Sequence, residues 1–155
     1  MELADILSEE SVMLCTDLKT KREVLERLAQ QAAEQAGINA DAVFEAIDSR
    51  EALGSTGLGN GIAIPHGKLP GLHGVTAVFA RLTRPVDFES VDDRPVDLVM
   101  MLLAPLGAGA DHLKALALVA RILRTDAVAE RLRATHDPAR LHRILTAPLA
   151  AHQAA

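Results

Sequence analysis

The chain has no tryptophan, no tyrosine and only three phenylalanines. Its core must therefore be built from aliphatic side chains and methionine. Stacking of nucleic-acid bases on aromatic rings is excluded as a main activity. Basic charge is also short, with 16 Lys and Arg against 21 Asp and Glu and a formal net charge of −5. A protein that grips a phosphate backbone needs the opposite balance, so no nucleic-acid partner is expected. A mildly acidic surface better suits a basic protein partner. Cysteine occurs once, at Cys15, so no disulfide can form within the chain and nothing points to an oxidising compartment. The longest apolar run, Leu98 to Leu106, is far short of the roughly 20 residues a bilayer helix needs. No basic stretch followed by an apolar one opens the sequence, so a signal peptide is not expected, and the cytoplasm is the expected location.

What is present fits one globular domain with a sizeable core: 155 residues, 49% hydrophobic and 24% charged. Val12 to Cys15 reads as a short strand. Thr20 and Glu23 form a capping box for a helix whose apolar positions are Val24, Leu25, Leu28, Ala32 and Ala36, and which stops at Gly37. Asn39 can cap a second helix that carries Val43, Phe44 and Ile47 on one face and Arg50 in its last turns. Strands are predicted at Ile62 to Ile64, Val75 to Leu82 and Val96 to Leu103. The last is almost wholly apolar, as befits a central strand buried on both faces. Arg84 to Pro95 reads as loop with a minor strand near Val86 to Phe88. Asp111 can cap a third helix with a stripe of Leu113, Leu116, Ala120 and Leu123, and His112 falls in its first turn. Asp126 caps a short helix, and Asp137-Pro138 opens another with Leu141, Ile144 and Leu145 buried. Residues 148–155 read as a frayed tail. The element order gives an α/β fold, with helices packed on a small sheet.

One segment carries chemistry: Gly54-Ser55-Thr56-Gly57-Leu58-Gly59-Asn60-Gly61-Ile62-Ala63-Ile64-Pro65-His66-Gly67. Proline fixes its own φ and pushes Ile64 toward extended backbone, and Gly67 permits a turn. The imidazole of His66 is thereby aimed. Glycine-rich backbone offers N–H groups that suit phosphate. The glycine spacing fits neither the dinucleotide fingerprint nor a Walker A loop. Metal-ligand spacing is absent around His66 and His73, and no G-x-S-x-G elbow exists to make Ser55 a nucleophile. No cofactor or metal is called for. From the residues alone, Arg50 reads equally as a solvated helix residue and His112 as a surface residue near a helix start. His73, His136, His142 and His152 group with neither charge nor glycine and read as ordinary.

The stretch from Glu51 through Gly67 resembles the phosphohistidine signature of fructose/mannitol-type enzyme IIA domains of the phosphoenolpyruvate-dependent phosphotransferase system. The likeness extends to Pro85-Val86-Asp87-Phe88, to Pro95-Val96-Asp97-Leu98, and to His112-Leu113 with the Val119 to Leu123 stripe. It covers residues 1–147, and the loop is most similar to nitrogen-regulatory members. The resemblance implies a single domain with a small mixed sheet flanked by helices on both sides. It also implies that His66 accepts phosphate from a histidine phosphocarrier protein and that His112 supports it by a hydrogen bond. Arg50 and Thr56, with the loop amides, would bind the phosphate oxygens. An apolar rim of Leu58, Leu69 and Leu72 is expected to dock the carrier. A chain without room for a IIB domain suggests a nitrogen- or potassium-type regulator. A sugar-specific IIA donating to a separate IIB, and a non-phosphorylated binding module, are the alternatives.

Overall fold

Val12–Cys15 forms the first strand, β1, and Lys21–Ala36 the first helix, α1. The computed structural model describes residues 1–153. Thr20 accepts the Glu23 N–H while the Glu23 carboxylate takes the Thr20 N–H, and Gly37 closes α1 at φ 68°. These are the local signals the sequence carries at both ends. Helix α2, Ala40–Glu51, starts on Asn39, whose side chain accepts the Ala42 N–H. Three short strands follow, β2 (Gly57–Gly59), β3 (Ile62–Ala63) and β4 (His66–Lys68). Long strands β5 (Thr76–Val86) and β6 (Val96–Ala104) precede α3 (Gly109–Leu123), α4 (Asp126–Arg133), α5 (Pro138–Thr146) and α6 (Leu149–Gln153).

The six strands form one mixed sheet in the order β1-β5-β6-β3-β2, with β4 paired to β6 farther along the side that β3 occupies. β1 runs parallel to β5, β5 antiparallel to β6, and both β3 and β4 parallel to β6. β6 divides two cores. Val99, Met101 and Leu103 face α1 and α2, whereas Leu98, Met100 and Leu102 face α3, α4 and α5. All six are fully buried, so the apolar run is explained by helices covering both faces.

Several expectations are corrected. β5 continues through Val86 rather than ending at Leu82, and it takes in only the first residue of the minor strand expected at Val86 to Phe88, Asp87 and Phe88 lying outside any strand. The cap of α3 is Ala108, with Asp111 inside the first turn, and that of α4 is Thr125 rather than Asp126. The buried face of α3 is His112, Ala115, Val119, Ile122 and Leu123, one position off the expected stripe. Leu113 is 67% exposed. Apolar residues surround much of this helix, so periodicity alone does not choose its inner face. The end of the chain is not frayed through Gln153: α6 is held by buried His152. The Nε2 of His152 donates to the Ile144 carbonyl, and its Nδ1 accepts from Arg131. Residues 154 and 155 lie outside the described residues. Among the described residues no helix is long and apolar enough to cross a membrane.

Candidate functional site

The glycine-rich segment forms a β-hairpin. β2 and β3 pair antiparallel around Asn60 and Gly61, both with left-handed backbone at φ 56° and 79°. This is the primed turn that matches strand twist and selects Asn-Gly. Three amides of this segment are already taken. Asn60 N–H donates to Asp92 and Gly57 N–H to the Ser55 hydroxyl, while Thr56 N–H donates to Glu51. The expected set of loop amides around a phosphate is therefore not free at these three residues. The Asn60 amide and the Arg94 amide, which donates to the other Asp92 oxygen at 3.1 Å, hold the Asp92 carboxyl below its ordinary range.

His66 is the first residue of β4 rather than part of a turn. It pairs with Leu102, and Gly67 pairs with Leu103. Strand alternation turns His66 toward the α3 face and Gly67 toward α2. A Cβ at Gly67 would stand 3.4 Å from the Ala46 carbonyl and 3.4 Å from Ile47 Cδ1, so glycine lets α2 lie close. The half-buried His66 ring is fixed by one internal bond, Nδ1 to the Ile64 carbonyl at 2.9 Å. A carbonyl only accepts, so Nδ1 carries the proton and Nε2 carries the lone pair.

His112 meets this ring from the start of α3, with ring centroids 5.6 Å apart and planes inclined by 51°. His112 is only 6% exposed, and its buried Nδ1 has no hydrogen-bond partner among the described residues. Burial lowers its pKa below 6.5, helped by neighbouring His66 and Lys68. The His112 ring therefore favours its neutral form.

Arg50 arrives from the other face. Asn39 and Ala42 lie by Leu69 and Pro70, and Ala46 lies by Gly67, so α2 runs antiparallel to β4. Arg50 lies one turn farther along α2. Its Nη1 donates to the Gly54 carbonyl at 2.9 Å, leaving the rest of the fork available. Thr56 is placed differently from expectation. It is buried, and its hydroxyl donates to Glu51 Oε1, so its one hydrogen is not offered to a phosphate oxygen. Glu51 quotes no function in the sequence. Its carboxylate also takes the Thr56 N–H at 3.2 Å and pairs with Lys21 Nζ at 2.8 Å. Five residues separate Glu51 from Thr56 across a helix end, a spacing with no local signature.

The expected docking rim is also redrawn. Leu69 is 5% exposed, and half-buried Leu58 and Leu72 pack on the two cores. The exposed apolar residues on the adjoining segments are Leu53 after α2, Leu106 before α3, and Leu113 beside His112. Among the described residues no group of three or more His, Cys, Asp or Glu could hold a metal ion.

Fold and site together define a class: a mixed α/β domain that presents a constrained histidine beside its central strand, with a second histidine against it. The chain belongs to the family described as phosphoenolpyruvate-dependent sugar phosphotransferase system, EIIA 2, whose model matches residues 5–147. It is similar to a nitrogen regulatory protein of Bradyrhizobium diazoefficiens, 50% identical over 148 residues, covering 96% of this chain and 97% of the relative. Its fold is similar to the crystal structure of nitrogen regulatory protein IIA-Ntr from Neisseria meningitidis. That match has a TM-score of 0.86 and 32% identity, covering 93% of this chain and 99% of the other. IIA mannitol from Escherichia coli shares the fold at TM-score 0.73 and 24% identity, with 87% and 96% covered.

Proposed function

We propose that the chain is a phosphohistidine carrier, and that His66 Nε2 accepts a phosphoryl group from a phosphorylated histidine phosphocarrier protein. The observation that carries this reading is the bond from His66 Nδ1 to the Ile64 carbonyl. It holds the proton on one ring nitrogen and leaves the other as an aimed nucleophile. In the transfer, the Nε2 lone pair attacks phosphorus while the donor's N–P bond breaks, and the departing imidazole keeps that electron pair. The proton stays on His66 Nδ1, hydrogen-bonded to the Ile64 carbonyl, so no base is needed to free Nε2.

Phosphoryl transfer depends on alignment and charge stabilisation more than on covalent machinery. Arg50, anchored at the end of α2 by the Gly54 carbonyl, supplies a cation for the phosphoryl oxygens, and His112 supplies an N–H donor once the phosphoryl group is present. Leu53, Leu106 and Leu113 give the carrier an apolar docking rim. The names of the relatives favour a nitrogen-regulatory role, in which phosphorylation state is the signal read by target proteins. The family description favours a second reading, a sugar-specific IIA that donates to a separate IIB.

The test is intact-mass measurement after incubation with phosphoenolpyruvate, enzyme I and the phosphocarrier, for wild type and His66→Ala. One acid-labile phosphoryl adduct on wild type and none on the variant is expected. No adduct on wild type, with carriers from both the sugar and nitrogen branches, rejects the reading. Supplying candidate IIB and regulatory targets to the phosphorylated protein then separates the two roles.

A further inference from the structure

We propose that Glu51 is a positioning residue for His66, acting through Thr56 and Ile64. This rests on the phosphocarrier reading of His66. Glu51 is the last residue of α2, and its side chain is 4% exposed. A carboxylate there meets the negative end of the helix dipole, and burying it adds a desolvation penalty. Lys21, itself only 18% exposed, lies 2.8 Å away and balances the charge. Lys21 also stacks over Phe88 at 5.4 Å. Buried ion pairs of this kind are a poor source of stability, since apolar replacements often do as well. A positional role explains the arrangement better.

The connections run in one direction. Glu51 takes both donors of Thr56, the hydroxyl and the N–H. The Thr56 carbonyl accepts the Ile64 N–H at 3.1 Å. The Ile64 carbonyl in turn accepts the His66 Nδ1 proton at 2.9 Å. Fixing Thr56 therefore fixes the peptide that selects the tautomer of His66. Glu51 never touches the ring or the phosphoryl group. Its effect is to hold the Ile64 carbonyl where Nε2 remains the free nitrogen.

The experiment compares wild type, Glu51→Ala and Glu51→Gln. Nitrogen-15 NMR of the unphosphorylated protein reads the His66 tautomer, and stopped transfer from the phosphorylated carrier reads the rate. Glu51→Ala is expected to lose part of the Nδ1–H population. It is also expected to slow transfer by roughly tenfold to a hundredfold, the scale of a misplacement of about 1 Å. Glu51→Gln, whose amide oxygen still accepts from Thr56, restores most of both. A folded Glu51→Ala protein with wild-type tautomer and rate overturns the proposal. If Glu51→Ala does not fold, Thr56→Val removes the hydroxyl alone and must shift the same tautomer; an unchanged tautomer there also overturns it. The NMR measurement needs no phosphoryl donor. It decides the role of Glu51 even where wild type takes no phosphate, an outcome that rejects only the carrier reading.

Discussion

His66 and Ile64 are two residues apart, yet the ring folds back so that Nδ1 donates to the Ile64 carbonyl at 2.9 Å. The intervening Pro65 makes this geometry rigid, because its φ is fixed and its own carbonyl is held by the Leu102 N–H at 2.9 Å. The phosphoryl group is therefore expected on Nε2 alone. Two-dimensional phosphorus–nitrogen NMR of the phosphorylated protein checks this, and coupling to Nδ1 would reject it.

His112 should change its ionisation when its neighbour changes charge. In the free protein, burial and the nearby His66 and Lys68 lower its pKa. A phosphoryl group on His66 replaces repulsion with attraction, so the pKa of His112 should rise. Titration of the His112 ring by NMR, before and after phosphorylation, reads the shift directly. His112→Ala should slow transfer without abolishing the adduct.

The same lowered pKa ties stability to pH. Below the ordinary value of 6.5 the unfolded chain binds a proton at His112 that the folded chain resists. The stabilisation is full above that value and is lost as pH falls toward the lower folded pKa. Urea unfolding from pH 7.5 downward should show a steeper decline for wild type than for His112→Gln. Parallel slopes would show that His112 contributes nothing to the decline.

Gly67→Val should couple packing to chemistry. The added side chain meets the Ala46 carbonyl and Ile47 Cδ1, where a Cβ alone already stands 3.4 Å from both. Overpacking of this kind costs about 1–3 kcal/mol. Because α2 must move to accommodate it, Arg50 moves too, and transfer should weaken along with stability. Denaturant midpoints and adduct formation measure the two effects side by side.

Arg133→Ala supplies the contrast. Arg133 grips Asp97 through Nε at 3.0 Å and Nη2 at 2.9 Å, and its Nη2 also donates to the Asn60 carbonyl at 2.7 Å. This clasp ties α4 to the start of β6, while His66 pairs near the far end of that strand. The pair is partly exposed, so its loss should cost roughly 1–2 kcal/mol. Phosphoryl acceptance by the folded fraction should be unchanged.

Much of this architecture was legible where the determining contacts are local. The Thr20 and Glu23 box, the Gly37 stop and the Asp137-Pro138 start each involve residues within one turn, and each stands where the residues indicate. Val96 to Leu103 identified itself because a strand buried on both faces leaves almost no polar position, Asp97 at its start being the exception. The misreadings share another origin. β2 and β4 have three residues each, and they are strands only because β3 and β6 lie beside them. The inner face of α3 is set by the packing of Ala115, Val119, Ile122 and Leu123 into the second core. Glycines that looked like a phosphate loop serve instead the Asn60–Gly61 turn and the approach of α2 to β4. The link from Glu51 to Thr56 crosses a helix end, and no periodicity reports it.

The hairpin has a bearing on how firmly cargo would be held. Asn60 and Gly61 are committed to a turn, and the Thr56, Gly57 and Asn60 amides are occupied, so these three are not offered to a group on the acceptor nitrogen. A phosphoryl group there would rest on few donors and remain open to an approaching protein. Deep encirclement would lower the energy of the loaded state and raise the barrier to unloading. A shallow berth keeps the group reactive toward whichever partner docks next, so loading and discharge can proceed through the same face.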